Sequence, residues 1–245
     1  MVGQLLLRGM LAGVFAGLLA FGFAYIFGEP NVDRAIAFEE QQAAAKGEAP
    51  EPELVSREVQ STAGLLVGTL VYGAAVGGLF ALVFAFAHGR TGALGARELS
   101  ALLALLGFVA IVLAPFVKYP ANPPSVGDPE TIGARTALYF VLMAISVAAM
   151  STAAILGRGL VQRLGAWNGV LVAGLGYILV VAIAEILLPS INEVPADFSA
   201  VLLWQFRASA LGLHVVLWTT LGFGFGALAE RGFAPRGAIA RRAYG

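Results

Sequence analysis

Six long apolar stretches, each bounded by charged residues, dominate the pattern of hydrophobic and polar positions along the chain. They cover residues 9–28, 63–87, 99–117, 136–157, 164–188 and 205–229. A bilayer core about 30 Å thick requires about 20 apolar residues of helix. Unpaired backbone polar groups are costly in hydrocarbon, and the stretches are uniformly apolar instead of alternating, so helices are expected. The pattern therefore predicts an all-α polytopic transmembrane helical bundle with six spans.

Composition agrees with this prediction. The 245 residues are 59% hydrophobic and 12% charged, whereas soluble domains are about a quarter charged. Mean hydropathy is +0.84, so the chain has too little polar surface to coat a water-soluble protein. A net charge of zero argues against a nucleic-acid partner. The absence of cysteine excludes disulfides, thiolate nucleophiles and iron–sulfur clusters.

The charged residues segregate between alternate connections. Nine of the fifteen basic residues would lie on one side of the membrane, with only Glu98 and Glu230 as acids: Arg8, Arg90, Arg97, Arg158, Arg163, Arg231, Arg236, Arg241 and Arg242. Because basic loops stay in the cytoplasm, we expect both termini to be cytoplasmic, residues 230–245 to form a basic cytoplasmic tail, and the protein to be a multi-pass protein of the cell membrane.

The longest connection, residues 29–62, is acidic and would be extracytoplasmic. Its segment 34–46 is rich in good helix formers, and Gly-Glu-Ala-Pro-Glu-Pro-Glu follows. These features predict a short surface helix and then a flexible acidic linker before the second span.

Small residues recur at spacings of four: Gly9, Gly13 and Gly17 in the first span, and Gly64 with Gly68 and Gly73 with Gly77 in the second. Such faces let helices approach closely in lipid. Packing within the bundle is the favoured interpretation, and a glycine-lined path for a solute is the alternative.

The most informative local sequence is the proline-rich segment 118–136, in which Pro120, Pro123 and Pro124 exclude helix. Asp128-Pro129-Glu130 then has the order of an N-cap, a first-turn proline and an acid favoured by the helix dipole. The pattern predicts a rigid loop followed by a helix start. Alternatively, Asp128, Glu130 and Asn122 present oxygen ligands to a cation, or the loop binds a partner.

Ionisable residues near membrane depth are further candidates. Glu185 and Arg207 would lie at the same ends of consecutive antiparallel helices, where they could pair, although each could instead extend to the interface. Trp204, Arg207, Leu211, His214 and Trp218 share one helical face by spacing. His214 lies about 10 Å deeper than Arg207, and hydrogen-bonded packing or metal ligation would explain its position.

Motifs for catalysis are missing from the sequence. It contains two histidines, His88 and His214, whereas tight transition-metal sites use several imidazole or thiolate ligands. It has no Walker A loop, serine nucleophile elbow or two-histidine zinc helix. We therefore expect a protein that is not an enzyme and has no tightly bound cofactor. A transition metal would be held weakly through oxygens, or a partner would supply nitrogen ligands.

Several segments resemble the CbtA family, in particular its actinobacterial-type branch: residues 7–13, 28–39, 118–136 and 192–198, with Trp204, Phe206 and Arg207. The resemblance covers nearly the whole chain. It implies a predicted cobalt-uptake membrane subunit that works with a small CbtB-like metal-binding membrane partner and carries cobalt(II) transiently.

Two hypotheses follow. In the first, the chain is the membrane subunit of a cobalt or divalent-cation uptake system. Cations collect at an acidic outer face through Glu29, Asp33, Glu39, Asp128 and Glu130, and then enter near Glu185, Arg207 and His214. In the second, the chain is a structural or assembly subunit of a larger membrane complex and transports nothing. The sequence leaves the transported species, the direction, the energy source and the oligomeric state open.

Overall fold

The computed structural model describes residues 2–47, 54–92 and 94–233, and in this part of the chain it contains six long helices and no strand. The helices are α1 (Val2–Lys46), α2 (Arg57–Ala87), α3 (Ala96–Lys118), α4 (Pro129–Leu164), α5 (Ala166–Leu187) and α6 (Ala200–Phe233). Each contains an apolar window of 18 residues long enough to cross a bilayer. The predicted fold class, an all-α polytopic membrane protein with six spans, is confirmed.

Helix α1 differs from the prediction at its carboxyl end. Residues 34–46, for which a short surface helix was predicted, are helical, but no loop separates them from the first span, because α1 continues without interruption through a π-helical turn at Ala24–Gly28 and then through Glu29–Lys46. Pro30 has no N–H and would disturb a regular helix, and the wider turn directly before it is a common way to accommodate such a disturbance. Residues 48–53 of the predicted acidic linker, and residues 234–245 of the predicted basic tail, lie outside the described residues.

By internal contacts the chain divides into two compact units, and α1, α3 and α6 contribute residues to both. The first unit contains residues 1–29, 52–105 and 212–245, and the second contains residues 30–51 and 106–211.

Glycines bring α1 and α2 into backbone contact in the first unit. Gly9, Gly13 and Gly17 face Gly77, Gly73 and Thr69, and a Cβ on any of the five glycines would collide with the opposite backbone. Close approach of this kind is how helices associate in lipid, where burial of apolar surface gives little advantage. The packing interpretation is correct for these glycines. By contrast, Gly68 has no heavy atom within 4 Å of a Cβ position, so it takes no part in that contact.

Residues 212–233 of α6 pack against α2 and α3 in the same unit. Phe225 meets Phe80 and Phe84 edge-on, with ring centroids 5.5 Å and 5.0 Å away. Ser100 is fully buried and donates to the carbonyl oxygen of Gly222 at 2.6 Å, which satisfies both groups in apolar surroundings.

In the second unit, α4 and α5 form an antiparallel pair joined by the single residue Gly165, whose φ of 81° favours glycine. A Cβ at Gly169 would lie 2.5 Å from the Cα of Val161, so the helices approach closely there as well. The buried hydroxyl of Ser146 and the Tyr177 hydroxyl lie 2.9 Å apart in a hydrogen bond between α4 and α5.

Candidate functional site: a cap of four interlocked segments

Four segments that are far apart in the sequence pack together at one end of the second unit. They are residues 30–46 of α1, the proline-rich loop and the first turns of α4 (119–135), the connection after α5 (189–199), and the first turns of α6 (200–209). We call this assembly the cap. It contains most of the segments on which the family resemblance depends.

A small apolar core holds the cap together. Ala35, Val126, Phe198 and Leu202 are buried against one another, one from each segment. The Phe38 ring meets Phe198 edge-on with centroids 5.0 Å apart, a favourable aromatic geometry. The proline-rich loop therefore packs against the other three segments, and its prolines restrict its backbone further.

A hydrogen-bond network around the buried Asn31 joins α1 to α6 within the cap. Asn31 is 4% exposed and donates from Nδ2 to the Ser209 hydroxyl at 3.1 Å. Its Oδ1 accepts a hydrogen bond from Arg34 Nη2 at 2.6 Å, and Ser209 donates to the carbonyl of Gln205 at 2.8 Å. A polar side chain at this depth is stable because its groups are paired, and this network fixes α1 against α6.

Arg207 binds the proline-rich loop instead of the partner that the sequence indicated. Its Nε donates to the Ala121 carbonyl at 3.3 Å, and its Nη2 donates to Asn122 Oδ1 at 2.8 Å. Among the described residues Glu185 is not a hydrogen-bond or ion-pair partner of Arg207, so the pairing that the sequence left open is not formed in this structure. The loop folds back far enough to present two oxygens to the guanidinium, which sequence spacing could not reveal.

The helix start at Asp128 is confirmed. Asp128 is the N-cap of a 3₁₀ turn, Pro129–Thr131, and its side chain accepts a hydrogen bond from the Glu130 N–H at 2.9 Å. The side chains of Asp128 and Glu130 are both exposed on this turn. These two predicted ligands therefore lie on the same turn and are both exposed to solvent.

Glu193 holds the same turn from the other side. Its Oε2 accepts a hydrogen bond from the Asp128 N–H at 2.8 Å, and its Oε1 accepts one from the Thr131 hydroxyl at 2.5 Å. Arg135 Nε lies 3.3 Å from Oε2 in an ion pair. The bond from Thr131 first, then the Asp128 N–H and the charge of Arg135 keep the pKa of Glu193 below its ordinary value.

The charges of the cap are sorted by exposure. Its exposed carboxylates are those of Asp33, Glu39, Glu40, Asp128, Glu130 and Asp197, whereas its exposed basic side chains are those of Arg34 and Lys46. Arg135 and Arg207 are partly buried and bound to cap groups. Six exposed carboxylates against two exposed basic groups make the solvent-facing surface of the cap acidic.

Three of the predicted site residues, Glu29, Glu185 and His214, do not belong to the cap. Glu29 forms an ion pair with Arg57 in the first unit. His214 belongs to that unit too, where its ring is 6.2 Å from that of Tyr72 and its buried Nδ1 has no hydrogen-bond partner among the described residues. Glu185 is half-buried at the end of α5. The described residues contain no group of three or more histidine, aspartate or glutamate side chains placed to hold one metal ion.

Gly64 and Gly68, which do not take part in the contact between α1 and α2, border an apolar cleft of about 420 Å³ together with Tyr72 and His214.

The residues predicted to share one face of α6, from Trp204 to Trp218, differ in their exposure to solvent. Trp204 is 71% exposed, whereas Trp218 is 5% exposed.

Reasoning from sequence missed the roles of Asn31, Thr131, Arg135 and Glu193. All four lie within segments that resemble the family, which was the available signal. The partners of Asn31 and Glu193 are 178 and 65 residues away along the chain, beyond any local pattern.

Six helices that are long and apolar enough to cross a bilayer define a multi-pass integral membrane protein. The model of the CbtA family, described as a probable cobalt transporter subunit, matches residues 2–230. The chain therefore belongs to the CbtA family, as its sequence segments indicated. No curated protein and no solved structure shows a significant match.

Proposed function

We propose that this chain is the membrane subunit of a cobalt uptake system in which the cap collects divalent cations on the extracytoplasmic side. The observation that carries the proposal is the sorting of charge on the cap, with carboxylates exposed and Arg135 and Arg207 turned inward. A surface with charges of one sign raises the local concentration of ions of the opposite charge and the rate at which they arrive. Carboxylate oxygens suit a cation that must be released again.

Within the cap, the turn that exposes Asp128 and Glu130 is the best candidate contact. Its backbone is fixed by Glu193 and by its own cap, and both of its carboxylates are exposed, so ordering the turn for binding costs little further conformational entropy. Asp33 and Glu39 of α1 extend the acidic surface, and Asn122 and Arg207 position the loop that carries the turn.

A small CbtB-like partner would supply further nitrogen ligands, because this chain has only the two histidines His88 and His214. The chain would then contribute a path with His214 and Glu185 as the ionisable groups inside its helices. In this proposal both termini and the basic connections are cytoplasmic, because the cap carries the acids and the opposite connections carry the arginines.

The test is cobalt accumulation in cells expressing the wild type or the double variant Asp128→Asn, Glu130→Gln. Removing two charges without changing size should reduce the initial rate at low external cobalt by at least fivefold, and high salt should shrink the difference. Glu98→Gln is the matched control, because Glu98 is an exposed carboxylate at the amino end of α3 that does not belong to the cap. Equal uptake by the double variant would reject these carboxylates as part of the path.

A second function, a structural subunit that assembles with other membrane proteins, is favoured by one observation. The described residues contain no ready-made group of three metal ligands, whereas close helix packing and a rigid cap are well developed. Purification in mild detergent distinguishes the two. A scaffold would arrive in fixed stoichiometry with unrelated catalytic subunits, and cobalt accumulation would not depend on it.

A further inference from the structure

Glu193 is the most connected carboxylate of the cap, although it is not one of the exposed ones. Its two oxygens accept hydrogen bonds from the Asp128 N–H and the Thr131 hydroxyl, and one of them also faces Arg135. The side chain of Glu193 is 17% exposed and that of Arg135 is 21% exposed. This partial burial leaves less water to screen their charges than at the open surface.

Arg135 lies directly beneath the turn that exposes Asp128 and Glu130. A Cβ at Gly127 would lie 2.6 Å from Arg135 Nη2 and 2.7 Å from its Cζ, so the guanidinium fills the space that a side chain there would need. Nη2 is also 3.4 Å from the Asp128 carbonyl oxygen. A positive charge at this place would repel a divalent cation approaching the two exposed carboxylates.

We infer that Glu193 is a positioning residue that keeps the Asp128–Glu130 turn attractive to cations, because it cancels the charge of Arg135 and fixes the backbone of the turn. It does not itself contact the ion. The inference rests on the proposed function, since it explains how a cap that contains arginines can present an acidic surface.

A charge role and a purely structural role predict different results. Glu193→Gln keeps the size of the side chain and one acceptor oxygen but leaves the charge of Arg135 uncancelled. Glu193→Gln combined with Arg135→Gln removes both charges and restores the balance. If Glu193 serves only to hold the loop, the second substitution cannot repair the first, because it removes one more contact.

The experiment measures initial rates of radioactive cobalt uptake in low-salt buffer over a range of cobalt concentrations. A unit charge roughly 8 Å from a divalent ion in water changes local occupancy by about fivefold. Glu193→Gln should therefore raise the half-saturating cobalt concentration about fivefold with little change in the maximal rate, and Arg135→Gln should lower it. The double variant should return to the wild-type value.

Glu230→Gln is the matched control, because Glu230 also pairs with an arginine at a helix end, Arg97 at 2.6 Å, but outside the cap. Membrane abundance of each variant is measured with a carboxyl-terminal tag. If Glu193→Gln does not accumulate in the membrane, the inference is tested with Arg135→Gln alone. A lowered half-saturating cobalt concentration in that variant supports the inference, and an unchanged one overturns it.

The outcomes separate the inference from the function on which it rests. Wild-type uptake no higher than that of cells without the protein would reject the proposed function. If wild-type uptake exceeds that level, two results would reject only the role of Glu193. One is a half-saturating cobalt concentration in Glu193→Gln equal to the wild-type value, and the other is no recovery of that concentration in the double variant.

Discussion

Replacement of Gly77 by alanine tests the packing of α1 against α2 most directly. The added Cβ would lie 2.9 Å from the Cα of Gly13 and from the carbonyl carbon of Gly9, and closer still to the Gly9 carbonyl oxygen. Ordinary contact between carbon atoms is about 3.5–4.0 Å. The backbones cannot yield locally because both are helical, so the helices must separate by about 1 Å along this face, a distance set by the contact with the Gly9 carbonyl oxygen.

The cost follows from that separation. A gap of this size forfeits a quarter to a half of the dispersion energy of the atoms along the contact, and overpacking of well-packed interiors costs about 1–3 kcal/mol. We expect about 2–3 kcal/mol of destabilisation at the upper end of that range, since backbone atoms are the obstacle. Gly68→Ala on the same helix meets no atom within 4 Å and should gain up to about 1 kcal/mol in helix propensity.

The assay is thermal or denaturant-induced unfolding of the purified protein in detergent, with loss of the monodisperse peak in size-exclusion chromatography as the readout. Gly77→Ala should unfold well before the wild type, and Gly68→Ala should equal or exceed it. If the two variants are equally stable, the close backbone contact does not contribute to stability and the reasoning from geometry fails.

Two further predictions concern the cap. Phe198→Ala should open the cap, because Phe198 is 6% exposed and such truncations cost about 3–5 kcal/mol of stability. Protease cleavage within residues 119–128 should therefore increase. Trp204→Ala, which removes a 71% exposed ring, should leave the rate of cleavage unchanged. The lowered pKa of Glu193 means that its contribution to stability is complete above its ordinary value of 4.5 and is lost as the pH falls below it. The hydrogen-exchange protection factor of the Asp128 amide should fall over the same pH range in metal-free buffer. A protection factor that does not depend on pH would contradict this prediction, as would the same pH dependence in Glu193→Gln.

The sequence by itself determined the six helices and the character of the cap segments. Runs of about twenty apolar residues bounded by charges mark the helices, because the hydrophobicity of each residue decides whether it lies in lipid or in water. That property can be read from the local sequence. The helix start at Asp128 was predictable for the same reason, because an N-cap, a proline and an acid act within one turn.

Only the tertiary structure decided which polar groups pair and which glycines pack. Glycines with the same spacing behave differently, since Gly73 and Gly77 touch α1 while Gly68 faces open space. Arg207 binds Asn122 and Glu193 binds the turn at Asp128, across 85 and 65 residues of chain. Such pairings depend on which helix ends meet in space, and neither the periodicity of a helix nor the charge of a loop contains that information.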